Sequence, residues 1–103
     1  MSWHTRHLEL DWLRALVTIV DCGGFSAAAE QLAATQPTIS RRLQALERQL
    51  GVRLLQRTTR KLSLTEVGEV YLRHCLAVRD AAEVAAEAVE QVHTAPRGTL
   101  RVA

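Results

Sequence analysis

Between Gln36 and Thr65 this chain of 103 residues carries seven bases and one acid: Arg41, Arg42, Arg48, Arg53, Arg57, Arg60 and Lys61 against Glu47, a net +6. Guanidinium groups present planar forks of N–H donors that match phosphate oxygens and the O6/N7 edge of guanine, so the cluster suits a polyanion. From Glu66 to Thr94 the balance reverses: Arg73 and Arg79 face Glu66, Glu69, Asp80, Glu83, Glu87 and Glu90, a net −4. One segment is therefore expected to meet a polyanion and the other not. Other chemistries find less support. Cys22 and Cys75 are far apart, form no C-x-x-C pair and fall within helical patterns, where buried or interface thiols are ordinary. Neither has the glycine-rich or elbow context of a catalytic thiol, and the adjacent His74 and Cys75 point to different helix faces. His4, His7, His74 and His93 make no ligand set with the cysteines. No catalysis, metal or cofactor is expected.

The length allows one small domain with an appendage, and 48% hydrophobic residues suffice for a core. Leu10, Leu13, Leu16, Val17 and Val20 form an apolar stripe that predicts a helix from about Leu8 to Asp21. Cys22-Gly23-Gly24 breaks it, a glycine taking the left-handed conformation that closes a last turn. Ser26 reads as the N-cap of a short alanine-rich helix running to Ala33, whose small side chains permit a tight helix-turn-helix corner. After a turn around Ala34, Thr35 caps a third helix, with Pro37 in the first turn, where its missing N–H costs nothing. At about 100° per residue, Ile39, Leu43, Leu46 and Leu50 fall in one narrow arc. Pro37, Arg41, Gln44 and Arg48 point away, with Thr38, Arg42 and Gln49 on the flank. Such a cationic, amide-rich outer face suits a DNA major groove. Gly51 ends this helix. Val52–Arg57 and Lys61–Thr65 alternate partially around Thr58-Thr59-Arg60, which predicts two short strands joined by a basic turn. A tip bearing Arg57, Arg60 and Lys61 beside a helix-turn-helix reads as a wing, and narrow A·T-rich minor grooves attract arginine.

Glu66 to about Thr94 predicts a helix of roughly 40 Å. Tyr71, Cys75, Val78, Ala82, Ala85, Val89 and Val92 recur in steps of four and three, a heptad seam whose natural outlet is self-association. Its beginning, near Val67 and Tyr71, is expected to pack on its own domain. Pro96 and Gly98 stop the helix, and Thr99–Ala103 alternates like a strand barely begun, so a second domain is expected to follow. The organisation is then an N-terminal extension over 1–7, a winged helix-turn-helix over 8–65, a linker helix over 66–94, and a hinge over 95–103. No apolar run suits a bilayer, Met1–His7 lacks a secretory stretch, and the acidic helix has the wrong sign for anionic lipid. A soluble cytoplasmic protein is expected. A protein-interaction module is the competing reading, and it leaves Arg57, Arg60 and Lys61 unexplained.

Ser26-Ala27-Ala28-Ala29-Glu30-Gln31-Leu32, Thr35-Gln36-Pro37-Thr38-Ile39-Ser40-Arg41, Leu46-Glu47-x-x-Leu50-Gly51-Val52-x-Leu54-Leu55 and Arg57-Thr58-Thr59-Arg60-Lys61-Leu62-Ser63-Leu64-Thr65-Glu66-Val67-Gly68 follow one another in this order. In that order and spacing the chain resembles the LysR-type transcriptional regulators over about residues 8 to 103. The resemblance implies a mainly α fold: a winged helix-turn-helix of three helices and a short β-hairpin, followed by a long linker helix. It implies that Gln36, Pro37 and Thr38 meet base edges, and that Ser40, Arg41 and Arg42 contact phosphates or bases. At the wing, Arg57 and Thr59 would contact or support the backbone and Arg60 would approach the minor groove; Ser26, Thr35 and Lys61 are counted with the DNA contacts. The linker helix would pair antiparallel in a homodimer on an interrupted dyad of double-stranded DNA. The resemblance further implies that full-length members are usually tetramers and that a small-molecule co-inducer binds an effector domain expected to follow the hinge. Thr38 stands where alanine or serine is frequent and Arg42 where glutamine is frequent, and both substitutions bear on base preference. The segment with Trp3, His4 and His7 has no counterpart in that pattern.

Overall fold

The computed structural model describes residues 8–58 and 61–94. The expected N-terminal extension (1–7), Thr59 and Arg60 of the wing, and the expected hinge (95–103) lie outside the described residues. Element order is α1 (Leu10–Cys22), α2 (Phe25–Gln31), α3 (Gln36–Leu50), β1 (Leu55–Arg57), β2 (Leu62–Leu64) and α4 (Glu66–Thr94).

Helix α1 stops where Gly23 turns left-handed at φ +82°, its N–H and that of Gly24 both donating to the Ile19 carbonyl. This is the ordinary way to close a helix with a residue that lacks Cβ. Because Gly23 is followed directly by extended Gly24, α2 begins at Phe25 and Gly24 is its N-cap. Ser26 is therefore not the cap expected from its type; it sits exposed within the first turn. The corner bends by 117° between α1 and α2, and Ala28 and Ala29 are buried in it. No single helix among the described residues is long and apolar enough to cross a membrane.

The apolar stripe of α1 is wider than expected and rotated. Leu16 and Val17 are buried as read, but so are Ala15 and Ile19, while Leu10 is 65% exposed. The cause is position: α1 packs on α2, α3 and α4 at once, so its middle turns are enclosed from several sides and its first turn overhangs the core. On α3, Ile39, Leu43 and Leu46 are fully buried and Leu50 partly so, as the arc predicts.

Strands β1 and β2 pair antiparallel with Leu55 opposite Leu64 and Arg57 opposite Leu62. They are shorter than the alternation suggested. Leu54 and Leu55 give their N–H groups to Oε2 of buried Glu47, at 2.8 and 3.2 Å, so Val52–Leu54 is tied to α3 instead of extending the ladder. Thr65 then starts α4. Its hydroxyl donates to the Arg53 carbonyl at 2.7 Å and accepts the Gly68 N–H at 2.9 Å, while its own N–H donates to the Leu54 carbonyl.

The long helix joins the core through buried Gly68 and Cys75, with Tyr71, Leu72 and Leu76 partly buried against it. Tyr71 thus packs on its own domain as expected. Val67 does not: it is 48% exposed, because Gly68 is the residue that faces Leu54 and Leu64. Beyond Leu76 the helix leaves the core, and Val78, Val84, Val89 and Val92 are exposed.

Candidate nucleic-acid interface

The exposed face of α3 is built from its cap upward. Thr35, in extended conformation, accepts the Thr38 N–H at 3.2 Å and satisfies one donor of the first turn, and Pro37 removes another. Gln36, Pro37 and Arg41 are exposed, and Thr38, Ser40 and Arg42 are half-buried at the edge of the core. Arg41 Nη2 reaches Thr38 Oγ1 at 3.4 Å, and that oxygen is 2.8 Å from Thr35 Oγ1. Buried hydrophobic residues on the opposite side of α3 keep this row facing solvent.

At the other edge, the hairpin brings Arg57 over the Phe25 ring, 5.0 Å from its centroid. A cation on an aromatic face contributes about 0.5–1 kcal/mol, and here it ties the turn end of β1 to the start of α2, where Ser26 is exposed. The Thr58 N–H and hydroxyl both donate to the Lys61 carbonyl, and the Lys61 N–H donates back to Thr58 Oγ1, closing the tip. The single acid of the stretch, Glu47, is withdrawn from this surface into the core, so among the described residues between Gln36 and Thr65 the charge presented outward is all positive. The structure therefore gathers Thr35, Gln36, Pro37, Thr38, Arg41, Ser26, Arg57 and Lys61 on the described surface of one helix-turn-helix and its hairpin. Thr59 and Arg60 are not among the described residues.

The family of bacterial regulatory helix-turn-helix proteins of the lysR type matches residues 10–69, more than half of the chain. The chain belongs to the LysR family. A transcriptional regulator of Xanthomonas campestris is 48% identical over 85 residues, which cover 82% of this chain and 25% of that protein. The regulator CrgA of Neisseria meningitidis serogroup C is 50% identical over 92 residues, 87% of this chain and 30% of CrgA. The chain thus spans only about a quarter to a third of these relatives. Among solved structures, a complex of the BenM DNA-binding domain with catB site 1 DNA superposes with a TM-score of 0.81 at 28% identity, covering 86% of this chain and all of that one. A complex of the CbnR DNA-binding domain with DNA gives 0.74 at 32% identity, over 81% of this chain and 95% of that one. The winged helix-turn-helix followed by a long helix is therefore the fold of this LysR-family chain.

Two functional supports of the LysR-family surface escape a reading by residue type. Phe25, the chain's one phenylalanine, belongs to none of the motifs or stripes in the sequence, yet it carries Arg57. Glu47 enters the sequence reading only as the one acid set against seven bases and as part of the Leu46-Glu47 motif. Its place beside the Ile39–Leu43–Leu46 arc is the signal that could have marked it as buried.

Proposed function

We propose that this chain is the DNA-binding part of a LysR-type transcriptional regulator, a sequence-specific reader of double-stranded DNA. The observation that carries the proposal is the cationic outer face of α3, capped by Thr35 and flanked by the Arg57–Lys61 hairpin, in a chain of this family. In this reading α3 enters a major groove, with Gln36, Pro37 and Thr38 at base edges and Ser40, Arg41 and Arg42 at bases or phosphates. The hairpin brings Arg57, Thr59, Arg60 and Lys61 to the backbone and the adjacent minor groove, and Ser26 and Thr35 approach phosphate.

The organisation proposed is a reading domain over 8–65 and a linker helix over 66–94, the latter pairing two copies. Support comes from α4 beyond Leu76, where Val78, Val89 and Val92 are 43%, 68% and 69% exposed. An open groove between α1 and α4, lined by Leu10, Leu13, Val17, Val78 and Ala82, continues the same apolar surface. Cys75, counted in the seam with Tyr71, Ala82, Ala85 and the valines, is only 3% exposed and leaves little surface for a partner. Tetramer formation and co-inducer binding are not assigned to these residues, and a cytoplasmic site of action accords with DNA binding.

Selection of bound duplexes from a randomised library is the test. Enrichment of an interrupted dyad, with half-sites about one helical turn or a multiple apart, is the expected result. Binding without enrichment leaves a non-specific basic domain, and no binding at any salt leaves a protein-interaction module. Gln36→Ala is expected to flatten preference at one base pair per half-site, and an unchanged profile counts against direct readout there. Arg60→Ala is expected to weaken binding most on sites with A·T-rich flanks; equal affinity refutes a minor-groove role.

The domain is read as a binder and not an enzyme. Burial pushes the Cys75 thiol up to about 11, so it stays protonated at neutral pH and is a poor nucleophile. A thiol reagent at pH 8 is expected to modify exposed Cys22 alone in the folded chain and both cysteines after denaturation. Rapid modification of both in the folded chain would show that Cys75 is accessible.

A further inference from the structure

Thr38 stands at the start of the reading helix, yet its hydroxyl is already engaged within the chain. It lies 3.4 Å from Arg41 Nη2 and 2.8 Å from Thr35 Oγ1. Proton bookkeeping orders these bonds. A guanidinium has donors and no acceptor, so Arg41 donates to Thr38 Oγ1. Thr35 Oγ1 accepts the Thr38 N–H at 3.2 Å and retains a second lone pair. A hydroxyl that accepts from a cation becomes a stronger donor, so the Thr38 O–H points onward to Thr35. The series runs from Arg41 to Thr38 to Thr35 and ends on the helix cap, which is held by the backbone.

This arrangement selects a rotamer. An exposed arginine samples many conformations, and ordering it on contact with a partner is costly. Thr38 is β-branched and stiff about χ1, and its bond to the cap fixes which way its oxygen faces. The oxygen in turn holds the guanidinium along the exposed face of α3, where a fork of N–H donors pairs with O6 and N7 of guanine.

We propose that Thr38 is a specificity-determining residue that acts through Arg41: its hydroxyl positions the guanidinium for one guanine per half-site. The proposal rests on the chain being a DNA reader. The experiment is library selection with the parent chain and with Thr38→Val, Thr38→Ser, Arg41→Ala and the Thr38→Val/Arg41→Ala pair. Thr38→Val keeps the shape and the backbone N–H of residue 38 and removes only the hydroxyl. The parent is expected to prefer guanine at one base pair per half-site by about ten-fold. Thr38→Val is expected to reduce that preference to below about three-fold, Thr38→Ser to rescue it, and Arg41→Ala to abolish it at the same base pair. In the Arg41→Ala background, Thr38→Val is expected to change nothing further at that position.

An unchanged profile for Thr38→Val overturns the proposal. So does a shift shared by Thr38→Ser and Thr38→Val, which would assign the effect to shape, or a Thr38→Val shift at a base pair other than the one lost in Arg41→Ala. Arg41→Ala changes an exposed side chain, so its profile is readable even if Thr38→Val folds poorly. Failure of the parent to enrich any site removes sequence-specific reading of DNA and this proposal together, whereas enrichment with an unaltered Thr38→Val profile removes this proposal alone.

Discussion

Gly68→Ala is expected to destabilise the chain by about 3 kcal/mol, lowering its melting temperature by roughly 15 °C. The sign is the informative part. In an unobstructed helix the same change stabilises by about 1 kcal/mol, because alanine is the better helix former. Here a Cβ at position 68 would collide with the Leu54 carbonyl oxygen, with the Leu54 carbonyl carbon at 3.0 Å and Leu64 Cδ2 at 3.1 Å. Backbone is the obstacle, and backbone cannot step aside as a flexible side-chain tip does. Leu54 is pinned on both sides: its N–H donates to Glu47 and its carbonyl accepts from the Thr65 N–H. Relief therefore has to come from α4, whose first turns would lift from the hairpin. Thermal melts of parent and variant settle the matter, and an equal or higher melting temperature for Gly68→Ala would sink the packing described for this corner. Because α4 is the helix read as pairing two copies, half-site spacing in the selected duplexes is expected to loosen with it.

Glu47→Ala is expected to cost about 2–4 kcal/mol, since two buried N–H groups, Leu54 and Leu55, lose their acceptor. An unsatisfied buried donor costs its full desolvation, about 1–3 kcal/mol, whereas the net value of a satisfied one is smaller. Glu47→Gln keeps one carboxamide oxygen to accept and is expected to lose less. The measurement is a denaturant midpoint for each variant, together with amide hydrogen exchange at Leu54 and Leu55, which should accelerate. Full stability in Glu47→Ala would mean that the carboxylate does not hold the hairpin. A second outcome separates architecture from electrostatics. Both variants make the chain more positive by one charge, which by itself favours non-specific attraction to phosphate. Weaker sequence-specific binding in Glu47→Ala, despite that added charge, would show that the carboxylate acts by placing the wing against α3.

Local signals explain why much of this fold was legible. Thr35 caps α3 as its type and spacing indicated, Gly51 closes the same helix at φ +75°, and Gly23 closes α1 at φ +82°. Each depends on a residue and its neighbours within one turn. The row Pro37, Arg41, Gln44, Arg48 could be placed on the outer face of α3 from periodicity, with Thr38 on the flank, because Ile39, Leu43, Leu46 and Leu50 on the other side leave only one orientation. Where reading by type failed, either the adjoining corner or the packing of whole elements had decided. Ser26 lost the cap position because Gly23 and Gly24 spend their turn closing α1. Leu10 stayed exposed because the first turn of α1 projects past its neighbours, and Cys75 was taken from the seam into the core by the way α4 crosses α1.

Helices with one cationic outer face, a basic hairpin and a long apolar-seamed helix are written into the order of residues. Those properties are set by periods of a few residues and by the type of side chain at each step. Docking of the elements adds that the acid Glu47 turns inward to bind the start of the hairpin, that Arg57 rests on Phe25, and that Gly68 is the point where α4 touches Leu54. Except for Glu47 with the hairpin, each joins residues more than a dozen positions apart, and in all three the free energy comes from burial or from a bond that exists only once the elements have docked. Residue type limits which partners are possible there, and packing chooses among them.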